Sequence, residues 1–206
     1  MIEWGYLIKV GVALFAIVNA IGTVPIFITA TEGWPDSDRT RTIRLIALTV
    51  FLVLTTAIFI GDKILAFFSI SIPSFQVGGG ILLLLMAIGM MHGHPRQREN
   101  ETAGARDAVA IVPFSIPLLA GPGAISSVII TAEQSGGFWG HLMLVIPVLV
   151  VAALVYAILS LSMPIARKLG ASGIVIVTRL MGLILAAMAI EFMAHGLGSL
   201  FPGLVK

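Results

Sequence analysis

The residues of this chain best suited to holding a small polar molecule lie in two short stretches, each interrupting an apolar run. Asn19, Gly22, Thr23 and Pro25 fall within Val18 to Pro25, and Gly121, Pro122, Gly123 and Ser126 fall within or just after Ile116 to Ile125. Proline removes a backbone donor and clashes with the preceding turn, and glycine loosens the backbone, so each stretch is expected to break a helix. A broken helix exposes unpaired N–H groups at one half and unpaired C=O groups at the other. The macrodipole adds partial positive charge at the N–H end. Two such ends facing one another suit a small zwitterion, with donors for its carboxylate and carbonyls plus the Asn19 side chain for its ammonium. The plainer alternative is that the prolines and glycines only kink packed helices.

Glu191 is the other residue with chemistry to offer. A carboxylate in an apolar segment is costly and is by default a functional candidate, here for proton coupling. Its alternative is a carboxylate that snorkels or bonds to a neighbouring helix. Arg179, twelve residues earlier, is too far along and around a helix to pair with it, and is expected to snorkel to headgroups or to cap carbonyls. Gln76 and Thr178 read as polar links between helices, and the methionines as packing. His92 and His94 flank Gly93 in a polar loop without a second cluster, while His141 and His195 read as interfacial. No Ser, His and carboxylate set shares one membrane level, and cysteine is absent. The chain therefore reads as a non-enzyme without metal or cofactor.

The elements that must position these residues follow from composition. Of the 206 residues 58% are hydrophobic and 11% charged, with mean hydropathy +1.08, far more apolar than a soluble domain. Six spans fit, at about Tyr6–Ala30, Leu45–Ile60, Ser74–Met91, Ala108–Ala132, Leu142–Leu161 and Gly173–Leu200, the first and fourth discontinuous. The Gly61-Asp62-Lys63 triplet interrupts the second, and the apolar piece after it either continues a long tilted helix or lies in the interface.

A shift of 102 residues superposes Gly80, Leu83, Met86, Ala87, Ile88 and Met91 on Gly182, Leu185, Met188, Ala189, Ile190 and Met193. Such self-similarity marks a repeat, and a unit with an odd number of spans re-enters the membrane from the opposite side. The expected architecture is an all-α membrane protein of six helices in an inverted 3+3 repeat. Residues 1–91 form the first unit, 92–107 a cytoplasmic connecting loop and 108–206 the second unit. Arg39, Arg41, Arg44, Arg96, Arg98, Arg106, Arg167 and Lys168 fall on one side of this topology, against Lys9, Lys63 and Lys206 on the other. The positive-inside bias puts both termini outside. The expected partners are a small-molecule substrate and the lipid bilayer, with a homo-oligomer left open; no basic arm suggests nucleic acid.

Four runs carry a family resemblance: Asn19 to Phe27, Phe68 to Phe75 leading into Gly79-Gly80, Pro117 to Ile125, and Arg179 to Ala187. They resemble the MarC family of small integral membrane proteins over nearly the whole chain, Ala120-Gly121-Pro122-Gly123-Ala124-Ile125 being the most specific segment. Where the family usually has Asn-Pro-Ile-Gly, this chain has Asn19-Ala20-Ile21-Gly22. The resemblance implies a six-span inner-membrane protein related to the LysE-like transporters. Through archaeal members of the small-neutral-amino-acid (SnatA) type, it implies cargo such as glycine or alanine. The alternatives are export of larger apolar compounds, which asks for an apolar cavity, and a non-transporting lipid-binding or regulatory role, which asks for breaks packed shut.

Overall fold

A computed structural model describes residues 4–92 and 119–204. The connecting loop beyond His92, with His94, Arg96, Arg98 and Arg106, and the first half of the fourth expected span lie outside them. The described chain is helical throughout: α1 (Trp4–Val18), α2 (Ala20–Ala30), α3 (Asp36–Phe67), α4 (Ile72–His92), α5 (Pro122–Gln134), α6 (Phe138–Ser160) and α7 (Ser162–Leu200), followed by a 3-10 turn, Pro202–Leu204. Among the described residues, five stretches are long and apolar enough to cross a bilayer. They are Trp4–Ile28, Asp36–Phe67, Ile72–His92, Phe138–Ser160 and Ser172–Leu200.

The Gly61 triplet does not interrupt its helix. α3 runs unbroken for 32 residues. Gly61 is buried there because a β-carbon would meet the Ile129 side chain at 2.7 Å; its bareness serves contact with α5 rather than a turn. α3 ends where Ser69 takes a left-handed φ of 55°. The Ile70 N–H then donates to Leu65 O and the Ser69 N–H to Ala66 O, the paired bonds of a Schellman cap. Ser71 starts α4 by accepting from the Ser74 N–H at 3.2 Å. α7 begins before the expected sixth span, with a short piece ending at Gly170, whose φ of 64° bends the chain before the membrane-crossing portion.

The packing partners recur in pairs. α4 lies along α7 and α3 along α6, while α2 touches α6 and α7 and α5 touches α3 and α4. Helix starts recur too: Ala20 and Pro122, and Asp36 and Phe138, are each 102 positions apart. At the α4–α7 seam a β-carbon on Gly80 would meet Ala189 O and Met193, and one on Gly182 would meet Ala87 O and Met91. The core between the helices is aliphatic, with Phe27, Leu14, Ile46, Leu54 and Leu144 fully enclosed. The outer surface is equally apolar, with Leu48, Leu52, Leu85, Leu149 and Leu183 all more than half exposed. A surface of that kind requires hydrocarbon around it.

Candidate functional site

The first break is narrower than the sequence suggests. Only Asn19 leaves the helix, at φ 48° and ψ 49°, and α2 resumes at Ala20. The left-handed region costs Asn less than most residues, since its short polar side chain bonds locally. Here Asn19 Oδ1 accepts the Gly22 N–H at 3.2 Å and so caps α2. Gly22 is needed for this, because a β-carbon would fall 2.5 Å from Asn19 Nδ2. Thr23 Oγ1 donates to Asn19 O at 3.4 Å. Pro25 lies inside α2 rather than ending it. It removes the bond to the Ile21 carbonyl and no more, because a helix already capped and packed on α6 and α7 tolerates one lost bond.

The second break is built differently. Gly121 is the N-cap of α5 in extended conformation, with no side-chain cap, and Pro122 occupies the first turn, where its missing N–H costs nothing. The Ile125 N–H closes the first turn onto Gly121 O at 2.9 Å. The Gly123 and Ala124 N–H groups, at the second and third helical positions, have no acceptor within the helix. Close packing fixes this end: a β-carbon on Gly79 would overlap Pro122, and one on Gly123 would overlap the Phe192 ring.

Both breaks open onto one cleft. Asn19, Gly22 and Thr23 of the first break and Gly121, Gly123 and Ala124 of the second all line it, with Ile17 and Val18 at the end of α1. Its remaining walls are apolar side chains of α4 and α7, among them Leu83, Met90, Met181, Leu185, Met188 and Phe192. Asn19 Nδ2 points at Met188 Sδ, 4.0 Å away. About 20 Å³ at the centre is open to a water-sized sphere, room for about one water.

Four expected site residues lie elsewhere. Pro25 faces away from the cleft, into an apolar groove shared with Ile21, Val24, Ile28 and residues of α6 and α7. Pro122 is absent from the cleft walls and packs on Gly79. Ser126, one turn into α5, is fully buried, and its hydroxyl has no partner among the described residues. Glu191 is outside the cleft with its side chain 71% exposed, 3.5 Å from His195 Nδ1. It sits one residue before Phe192, about 100° round the helix, which turns it from the cleft. Arg179 is exposed as well, and Thr178 donates to Ile174 O of its own helix instead of linking two. Met90 and Met181 pack in the core as expected, and with Met188 they also line the cleft. The identity of Leu83 with Leu185 in the repeat is the available signal, since both line the cleft.

The far ends of both half-helices are tied down by a cation or imidazole. Arg39, fourth residue of α3 and buried, donates through Nη2 to Thr31 O at 2.8 Å, through Nε to Thr31 Oγ1 at 3.3 Å, and through Nη1 to Asp36 Oδ1 at 3.0 Å. His141, fourth residue of α6, places Nε2 3.1 Å from Ala132 O near the end of α5, with its ring edge-on to Phe59. Positive or donor groups at a helix C-terminus satisfy its last carbonyls and oppose its dipole.

The comparisons with known proteins agree on a family. The model of the MarC family integral membrane proteins matches residues 4–201. The chain is 36% identical over 204 residues to the UPF0056 membrane protein YhcE of Escherichia coli, covering 96% of this chain and 94% of that one. It is 38% identical over 192 residues to a UPF0056 membrane protein of Archaeoglobus fulgidus, covering 89% and 88%. To YvbG of Bacillus subtilis it is 32% identical over 209 residues, covering 98% and 99%. No solved structure matches the chain. With apolar helices throughout and a match spanning nearly every residue, this chain belongs to the MarC family of multi-pass integral membrane proteins.

Proposed function

We propose that the chain is a secondary transporter of small neutral amino acids such as glycine or alanine, held between the two helix breaks near the bilayer midplane. The observation that supports this most is that one cleft is lined by residues of both breaks, Asn19, Gly22 and Thr23 together with Gly121 and Gly123. The cargo carboxylate binds at the start of α5, where N–H groups without an acceptor in the helix and the helix dipole converge. The ammonium binds carbonyls at the end of α1, around Ile17 and Val18, since Asn19 Oδ1 is already engaged by Gly22. A carrier of this kind is an inverted 3+3 repeat whose halves rock about the site. Support for the repeat comes from the helix starts 102 positions apart and from the reciprocal contacts of Gly80 and Gly182, the pattern a two-fold relation produces. The MarC resemblance supports residence in the inner membrane, and the loop cations support both termini outside. Proton coupling through Glu191 gains no support from a side chain that faces out of the cleft.

The test is purified protein in liposomes with radiolabelled glycine, alanine and serine under proton or sodium gradients. Saturable uptake of at least one is expected. Failure of all three to bind or move under any gradient removes this reading. Export of apolar compounds retains one observation, the second groove of about 270 Å³ lined by Pro25 and nine other apolar residues. Efflux of a hydrophobic dye, unaffected by excess glycine, would favour it.

A further inference from the structure

The cleft holds the polar groups a zwitterion needs yet has space for about one water, so something must leave before cargo enters. Its walls sort into parts that can yield and parts that cannot. The polar wall is main chain and small residues fixed by helix packing: Gly22 against Asn19, Gly121 at the α5 N-cap, and Ala124 almost fully buried. Facing it stand Met188 and Phe192 of α7, both half-buried and therefore with a free side to turn towards. The Phe192 ring fills the volume that Gly123 leaves by having no side chain. That volume adjoins Gly123, whose N–H is one of those without an acceptor in α5. Met188 closes the other end, its thioether against the Asn19 amide. A thioether is a weak acceptor on a flexible stem, and so an easily exchanged partner for that donor.

We propose that Phe192, assisted by Met188, is the size gate of this cleft: its ring seals the start of α5 in the empty protein, swings aside for cargo, and by its bulk caps the side chain that cargo can carry. This rests on the carrier reading for the identity of the cargo, though not for the seal itself. Glycine and alanine add little or nothing beyond the zwitterion and fit beside a displaced ring. Branched side chains compete with the ring for one space. A methylene too many in a tight pocket costs about 1–3 kcal/mol, or roughly 10–200-fold in discrimination.

Two readouts on one set of proteins test this. The chain has no cysteine, so Thr23→Cys, at a position only 1% exposed, reports cleft access without background. With Phe192 present the thiol should react slowly with a small cationic methanethiosulfonate, and in a Phe192→Ala background at least tenfold faster. Calorimetric binding of glycine, alanine, valine and leucine to the protein in nanodiscs, without the cysteine, supplies the second readout. Wild type should favour glycine and alanine over leucine by tenfold or more; Phe192→Ala should reduce that ratio below threefold. Phe192→Leu serves both assays should the alanine variant fold poorly. Unchanged labelling overturns the seal. Faster labelling with no amino acid bound by any variant keeps the seal and removes the carrier reading. Binding of glycine with an unchanged preference ratio keeps the carrier and overturns the gate as a selector.

Discussion

The two breaks occupy matching positions in the chain and solve the same problem in opposite ways. At the first, Asn19 bends into the left-handed region and spends its own side chain on the Gly22 N–H, so α2 starts capped. At the second, Gly121 stays extended, offers no side chain, and leaves α5 uncapped with Pro122 in its first turn. One site is self-satisfied and the other is open. The difference teaches that glycine and proline content alone does not predict which broken helix has donors to spare; the residue at the N-cap does.

The largest expected effect is at the open break. Gly123→Val adds bulk where even a methyl overlaps the Phe192 ring, and should weaken glycine binding by at least tenfold, about 1.4 kcal/mol, by calorimetry. Unchanged affinity would make the two breaks equivalent bystanders. Next comes the capped break, where two substitutions separate conformation from side chain. Asn19→Ala loses the cap and keeps the left-handed strain, for about 2 kcal/mol of stability by thermal or denaturant unfolding. Asn19→Gly relieves the strain and should cost only a few tenths. Equal losses in both would place the importance of Asn19 in its amide rather than its backbone. The clamps at the far ends rank third: Arg39→Ala leaves a buried Thr31 carbonyl without its charged donor, for about 2 kcal/mol, and His141→Ala removes one hydrogen bond, for about 1 kcal/mol. A reversed order would show that the two half-helices are not tied as their geometry implies. Smallest of all is Glu191→Gln, which should change transport less than twofold, since its exposed carboxylate lies outside the cleft. A tenfold loss of proton-driven uptake would return it to the cycle.

Much of the arrangement is legible in the sequence. Apolar run lengths match the five spans found among the described residues, and the 102-residue offset of Gly80 to Met91 is the spacing at which two pairs of helix starts recur. Asn19 and Thr23 stand out by their polar side chains and Gly22, Gly121 and Gly123 by their backbone, and the five share a cleft. What failed depended on neighbours. Gly61 reads as an interruption until Ile129 is seen against it, and Pro25 as a terminator until its helix is seen capped six residues earlier. Glu191 and Phe192 are adjacent in sequence, and only the rotation of α7 decides that the ring faces inward and the carboxylate outward. No rule of composition supplies that angle.

Arg39 and His141 have a mechanical corollary. Each fastens the trailing tip of a half-helix to the helix that follows it, while the leading tips, Asn19 and Gly121, border the cleft. α2 has 11 residues, or about 16 Å from pivot to tip, so a tilt of about 10° moves its tip by about 3 Å. With its trailing tip held and its leading tip bare, each half-helix would turn a small tilt into a displacement as wide as an atom at the cleft.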